Sequence, residues 1–351
     1  MCGRWHNLIH YGNSNWRPGN PHNSAQHLSV AAYRSGARVV YINPGSVPLA
    51  TRQRGRLTLV SPGGQDLRPE LQRLYEREGL TPQQSVVVIS FATAASLQLA
   101  QWARQRDLQV VYRHVDWFVE TGDTRYCQKA AQELGQLAQL VCISHPELQQ
   151  CLPGVRCLLL RNGVDRRAFG PQPPGTPSPG DLHRGALTLG FWGQFWGDRI
   201  DWELLAQLAS RRRDWHWNLI GNLKLLTPRP KLPENVHFLD YRHPRQLARY
   251  GSHFDCGMVP YRQDTALARH SNPIKALEYL ACLRPVVSPF NPSLQDYPGV
   301  FFYSGPEDAE QAILRAARAE LTNDDVCRLM ADNSWERVLQ RMLLALEESL
   351  S

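Results

Sequence analysis

Residues Gly170 to Gly180 carry five prolines and three glycines in eleven positions. Proline lacks a backbone donor and fixes φ, so such a run enters neither a helix interior nor a central strand. It also has almost nothing to bury, and its prolines keep it extended. It therefore divides the 351 residues into two parts, each long enough for its own core.

Both parts show one rhythm, short apolar runs alternating with helical periodicity. In the first, strands are expected at 5–11, 37–42, 57–60, 85–90, 109–112, 140–144 and 155–160. Helices are expected at 22–33, 69–78, 94–106 and 123–138. A continuous apolar run such as Val86-Val87-Val88-Ile89 marks a strand buried on both faces, as in parallel sheets. The second part repeats the rhythm, with strands at 187–193, 215–220, 236–239, 255–261, 285–288 and 301–303. Its helices fall at 201–212, 244–250, from Pro273 to a stop at Pro285, and at 306–320, 323–331 and 334–350. Alternation of this kind predicts the α/β class, with two Rossmann-like doubly wound domains. The expected boundaries are 1–169, a linker over 170–185, 186–332, and a last helix over 333–351 that either crosses back to the first domain or ends as a plain amphipathic helix.

Composition narrows the function. Eight cysteines are scattered without a C-x-x-C pair, so neither a zinc site nor a redox motif is expected. Cys142, Cys157, Cys256 and Cys282 lie in apolar runs and read as buried thiols of a reducing compartment. No signal peptide and no long apolar run is seen, so a cytoplasmic location is expected. Net charge is +7. The first 165 residues hold 17 basic against 11 acidic side chains, the rest 22 against 21. A basic first domain suits an anionic acceptor or the anionic inner face of a membrane. The dispersed arginines come with no nucleic-acid signature, so no nucleic acid is expected.

In doubly wound folds, loops at the carboxyl ends of strands face the ligand. Asn15 and Arg17, after the first strand, are thus candidate acceptor contacts, or plain turn residues. The cluster Arg113-His114-Val115-Asp116-Trp117-Phe118 stands in the equivalent place after another strand. Trp117 and Phe118 could line a cleft or fill the core. In the second part, Ser271-Asn272-Pro273-Ile274-Lys275-Ala276-Leu277-Glu278-Tyr279-Leu280-Ala281 reads as a helix with Asn272 or Ser271 as N-cap and Pro273 in the first turn. Ile274, Leu277 and Ala281 share its core face, while Lys275 and Glu278 share a flank. A helix N-terminus with a lysine in its first turn suits a phosphate, and a carboxylate one turn on can accept from a sugar diol. A surface lysine–glutamate pair is the plain alternative.

That stretch, running into Pro285-Val286-Val287, resembles the nucleotide-sugar site of GT-B glycosyltransferases, particularly family 4-like enzymes of bacterial polysaccharide assembly. Phe191-Trp192-Gly193 with Arg199-Ile200-Asp201 is similar to their first donor-domain strand and phosphate loop. Asn218-Leu219-Ile220-Gly221, Asn235 to Leu239 and Asp255 to Tyr261 match the following strands, and Asn162-Gly163-Val164-Asp165 with Phe169 matches the end of their first domain. The resemblance implies Gly193, Arg199, Asn272, Lys275 and Glu278 at the donor, and with no D-x-D motif at a strand end no metal is required. It implies a base from the first domain, Asp116 or alternatively His114. Many family 4 enzymes carry a glutamate eight residues before the position of Glu278; His270 stands there, still able to bond a sugar hydroxyl or offset phosphate charge. The Tyr112 to Asp116 run and the proline-lysine-glutamate helix resemble the teichuronic-acid-type and glucuronosyltransferase-like branch. The implied activity is sugar transfer from a nucleoside-diphosphate sugar to a saccharide or lipid-linked acceptor. A degenerate member that only binds nucleotide-sugar or glycan and a nucleotide-sugar 2-epimerase are the alternatives.

Overall fold

The computed structural model describes residues 4–16, 23–45, 50–63, 66–117, 124–195 and 199–351. The chain forms two compact units, residues 1–162 with 335–351, and residues 163–334. The Pro/Gly run after 170 thus belongs to the second unit. Arg249 Nε donates to the Pro177 carbonyl at 2.9 Å. Asp181 accepts from Tyr250 Oη at 2.7 Å and pairs with Arg242. The chain's turn from one unit to the other comes earlier, at Asn162-Gly163, because these polar contacts hold the proline run to a surface.

Unit 1 contains β1 (Asn7–Tyr11), α1 (Ser24–Arg34), β2 (Arg38–Ile42), β3 (Ala50–Arg54), β4 (Leu57–Ser61), α2 (Arg68–Arg77), β5 (Ser85–Ile89), α3 (Ala94–Arg104), β6 (Gln109–His114), α4 (Thr124–Leu137), β7 (Leu140–Ile143) and β8 (Cys157–Leu159). Its sheet order is β3-β4-β2-β1-β5-β6-β7-β8. All described pairings are parallel except β3 with β4. One face carries Ile9, Val40, Val87, Val110 and Tyr112 against Leu71 and Leu74 of α2, Leu99 of α3 and Leu134 of α4.

Unit 2 contains β9 (Leu187–Trp192), α5 (Trp202–Arg211), β10 (Trp215–Ile220), β11 (Val236–Leu239), α6 (Pro244–Gly251), β12 (Cys256–Met258), α7 (Ala266–Arg269), α8 (Ile274–Ala281), β13 (Val286–Pro289), β14 (Val300–Tyr303), α9 (Pro306–Ala317) and α10 (Asn323–Asp332). Its order is β11-β10-β9-β12-β13-β14, all parallel. The strand order reverses between β9 and β12, and ligands of open α/β sheets bind outside the carboxyl ends at that point. Leu204, Leu208 and Ile313 pack on one face, and Leu247, Leu277, Leu280 and Met330 on the other. The last helix, α11 (Trp335–Ser349), belongs to unit 1, where Trp335 stacks on His27 of α1 with ring centroids 5.2 Å apart.

Two elements lie outside the sequence expectations. β3 is an exposed edge strand, Ala50-Thr51-Arg52-Gln53-Arg54, with no apolar alternation to reveal it. The four-residue α7 is started by Thr265, whose Oγ1 accepts from the Ala268 amide. Of the four thiols expected inside, Cys142, Cys256 and Cys282 are buried, while Cys157 is half-buried because β8 closes the sheet edge.

Close packing between β12 and α8 rests on a glycine. A Cβ at Gly257 would lie 2.3 Å from Cγ of Tyr279, a fully buried ring. Gly257→Ala should therefore cost about 1–3 kcal/mol as an overpacked core position, seen as a lower urea midpoint with an unchanged m-value.

Candidate functional site

The strand β9 ends in Phe191-Trp192, and Gly193 follows at φ 150°, a backbone conformation that favours glycine. The Gly193 amide donates to the Ile220 carbonyl at 3.0 Å, which fixes the turn beside β10. A Cβ at Gly193 would meet Lys275 Cε at 3.1 Å and Nζ at 3.4 Å. The lysine of α8 is thus laid against bare backbone at the carboxyl end of β9. Its Nζ donates to the Tyr261 hydroxyl and sits 5.2 Å from the Phe191 ring centroid.

Glu278 takes the neighbouring place. Its Oε2 accepts from the indole Nε1 of Trp192 at 2.7 Å. The Trp192 amide donates to the Tyr279 hydroxyl at 2.9 Å. Burial pushes the Glu278 carboxyl up to about 7, against the opposing pull of the indole bond and of Lys275. Lys275 and Glu278 form no ion pair among the described residues: the indole takes the carboxylate and the phenol takes the ammonium.

Helix α8 begins differently from the expected cap. Pro273 is itself the N-cap, and its side chain offers the first amides no hydrogen bond. Ser271 Oγ instead donates to the Ala268 carbonyl at 2.8 Å, closing α7. The Ser271 carbonyl accepts from Asn291 Nδ2 at 2.9 Å, and Asn291 Oδ1 in turn accepts from the Ser293 amide at 2.8 Å. His270, Ser271 and Asn272 are all buried by this clasp. His270 Nε2 accepts from Arg269 Nε at 3.3 Å.

Arg199 lies on the loop entering α5. Its carbonyl accepts from the Arg262 amide at 2.9 Å, and Ile200 bridges Tyr261 in antiparallel fashion. The loop is thereby fastened to the segment that carries the partner of Lys275. Asp201 caps α5 through the Leu204 amide at 2.9 Å. Gly193, Lys275 and Glu278 are thus brought together, while Arg199, His270 and Asn272 stand on the segments that frame them. Trp192, which holds the carboxylate, Tyr261, which holds the lysine, and Tyr279, which holds the Trp192 amide, appear in the sequence motifs but were not among the candidate site residues. An aromatic residue at a strand end reads equally as core.

In unit 1, His114 ends β6, is buried, and receives or gives a hydrogen bond between Nδ1 and the Tyr112 hydroxyl at 2.9 Å. Burial presses it to about 4, so its ring is neutral and a weak base. Asp116, two residues on, is half-buried. Arg113 between Tyr112 and His114 is 1% exposed, and its guanidinium makes no hydrogen bond among the described residues. Burial lowers it to about 10, so it remains a cation. Trp117 packs against the core of this unit. Asn15 shapes its own loop, its Oδ1 accepting from the Gly45 amide at 3.0 Å. Arg17 and Phe118 lie outside the described residues.

Residues 186–323 match the model of the family described as "Glycosyl transferases group 1". The matched segment lies within unit 2, which resembles a group 1 glycosyltransferase domain. The enzyme class is accordingly glycosyltransferase, and the fold is GT-B. A sucrose-phosphate synthase from Thermosynechococcus elongatus is similar over 98% of this chain and 99% of its own, at 14% identity and a TM-score of 0.70. The Anabaena protein HepE, solved in complex with UDP-glucose, is similar over 97% and 99%, at 13% identity and a TM-score of 0.67. A UDP-forming α,α-trehalose-phosphate synthase from Burkholderia xenovorans is similar over 99% and 100%, at 11% identity and a TM-score of 0.62. No curated protein sequence matches the chain. No helix among the described residues is long and apolar enough to cross a membrane.

The raised Glu278 carboxyl has a definite sign. From the ordinary value of 4.5 up to about 7 the folded state holds a proton that the unfolded state has lost, so stability falls as pH rises through this window. Glu278→Gln removes that term. Its unfolding free energy relative to the parent should be higher at pH 8 than at pH 4.5, by on the order of 1–3 kcal/mol, in paired urea titrations.

Proposed function

We propose that the protein transfers a glycosyl group from a UDP-sugar, held by unit 2, to a hydroxyl of a saccharide or lipid-linked saccharide held by unit 1. The observation that carries this reading is the meeting of bare Gly193 backbone, the Lys275 ammonium and the Glu278 carboxylate where the strand order of unit 2 reverses. UDP is favoured over other nucleotides because similar structures were solved with UDP-glucose or UDP.

Each group has a task. Gly193 leaves room for a diphosphate to approach the backbone. Lys275 and the first amides of α8 stabilise the charge that develops on the leaving UDP. Glu278 accepts from the ribose hydroxyls, and their donated hydrogen bonds favour its ionised form. Arg199, Asn272 and His270 complete the donor frame. The sugar's C1–O bond to the diphosphate breaks as C1 bonds to the acceptor oxygen, and the acceptor's proton passes to Asp116. Asp116 is preferred to His114 because it is half-buried and open to an acceptor, whereas His114 is buried with Nδ1 engaged by the Tyr112 hydroxyl. The positive charge needed by the leaving group comes here from protein groups, so the reading assigns no task to a metal.

The finer resemblance to the teichuronic-acid-type branch belongs to the same proposal, supported by Tyr112 to Asp116 and Pro273 to Glu278. So does a role in cell-surface polysaccharide assembly. Contact with an anionic membrane surface is supported by the excess of basic side chains in residues 1–165.

Two measurements test it. In a thermal-shift series with UDP, GDP, ADP and dTDP, UDP should raise the melting temperature. Lys275→Ala should weaken UDP by about 10- to 100-fold, the worth of a hydrogen bond to a charged group. Asp116→Asn should keep UDP affinity while UDP release from UDP-sugars, with extracted lipid-linked acceptors present, drops about 100-fold or more. UDP binding that ignores Lys275→Ala, or no shift with any nucleotide, would sink the reading.

A further inference from the structure

Three imidazoles gather in unit 2 away from the site just described. His216 is the second residue of β10 and His237 the second of β11, so both lie at the amino ends of their strands. His237 pairs in register with Asn218, and side chains two apart on a strand share a face. His216 and His237 therefore point to the same side of the sheet. His216 Nδ1 lies 2.9 Å from His237 Nε2. The ring of His183, from the segment leading into β9, stacks on that of His237 with centroids 3.6 Å apart. One nitrogen from each of the three lies within 4.8 Å of the others.

The backbone is built to hold this arrangement. Asn218 is fully buried and grips the His183 backbone twice, accepting from its amide at 3.0 Å and donating to its carbonyl at 2.9 Å. Gly185 then passes over His216 where a Cβ would strike Cδ2 at 2.6 Å. A side chain at 185 would lift the segment off the sheet and carry His183 away. A buried asparagine and a glycine thus place an exposed histidine over two half-buried ones.

We infer that His183, His216 and His237 form a binding site for a divalent transition-metal ion of the zinc class. Imidazole nitrogens suit zinc, cobalt, nickel and copper, whereas magnesium and calcium prefer oxygen. No carboxylate belongs to the cluster. His216 and His237 already have facing nitrogens. His183 is stacked on its neighbour, and being exposed it turns about its side-chain torsions to bring a nitrogen to the shared point. Three protein ligands leave a fourth position for water. The site stands at the amino ends of β10 and β11, the opposite edge of the sheet from Gly193 and Lys275, so it takes no part in sugar transfer. Its effect is to tie the segment entering β9 to the edge strands.

The test uses the full chain without an affinity tag, since tag histidines would bind the same ions. Zinc uptake is measured at fixed neutral pH by competition with a chromogenic chelator, and cobalt by its visible absorption, with magnesium as a control. We expect one zinc per chain, a cobalt spectrum of low-symmetry nitrogen ligation, and a higher melting temperature with zinc than with magnesium. His183→Ala should bind zinc at least tenfold more weakly while keeping the parent circular dichroism spectrum. His216→Ala should do the same. The exposed position of His183 keeps its variant folded, so the inference does not hang on the half-buried rings. Equal zinc affinity in the parent and His183→Ala, or no zinc bound by the parent, overturns it.

Discussion

The carboxyl end of β9 is fastened to α8 by two hydrogen bonds that share one residue. The Trp192 amide bonds the Tyr279 hydroxyl and the Trp192 indole bonds the Glu278 carboxylate. The two acceptors are consecutive on α8, so this pair of bonds fixes both the height and the rotation of the helix against the strand. Lys275, one turn earlier, is thereby set against Gly193. Gly257 lets the Tyr279 ring lie directly on β12, and Gly190 leaves room for Phe254 beneath β9. The donor side of the molecule follows from a tryptophan, a tyrosine and missing side chains as much as from its charged groups.

Burial without full pairing recurs where chemistry is expected. Glu278 is held near neutrality in its titration by an apolar surrounding. A carboxylate so placed gains more from new donors than a fully exposed one does, because less water competes for it. Arg113 is the counterpart in unit 1, a buried cation whose guanidinium makes no hydrogen bond among the described residues. Replacing such a charge by an apolar side chain often leaves stability unchanged or improved. Its retention at the carboxyl end of β6 is a cost that packing alone does not explain.

Much of the fold was legible in the residues. Continuous runs such as Val86 to Ile89 can only be strands covered on both faces, and the helices between them show their stripes. β3 was not legible, because Ala50 to Arg54 carries no apolar period and pairs through backbone alone at an exposed edge. α7 was too short for any period to form. The start of α8 was misread by one residue: Asn272 suits a cap by type, yet the clasp from Asn291 and Ser293 buries the segment and leaves Pro273 as the cap. That clasp joins residues about twenty positions apart, beyond the reach of local propensity.

The sequence by itself determined two α/β units, a helix with a lysine and a carboxylate one turn apart, and a glycine after an apolar strand. Period and residue type carry that information locally. Only the tertiary structure decided where those groups meet, because contacts between β9 and α8 join parts of the chain 86 or 87 residues apart. It separated Lys275 from Glu278 by giving each an aromatic partner, returned α11 to unit 1, and gathered three histidines that the sequence scatters over more than fifty positions. Each of these outcomes depends on strand order and register, which fix distances that no single segment encodes.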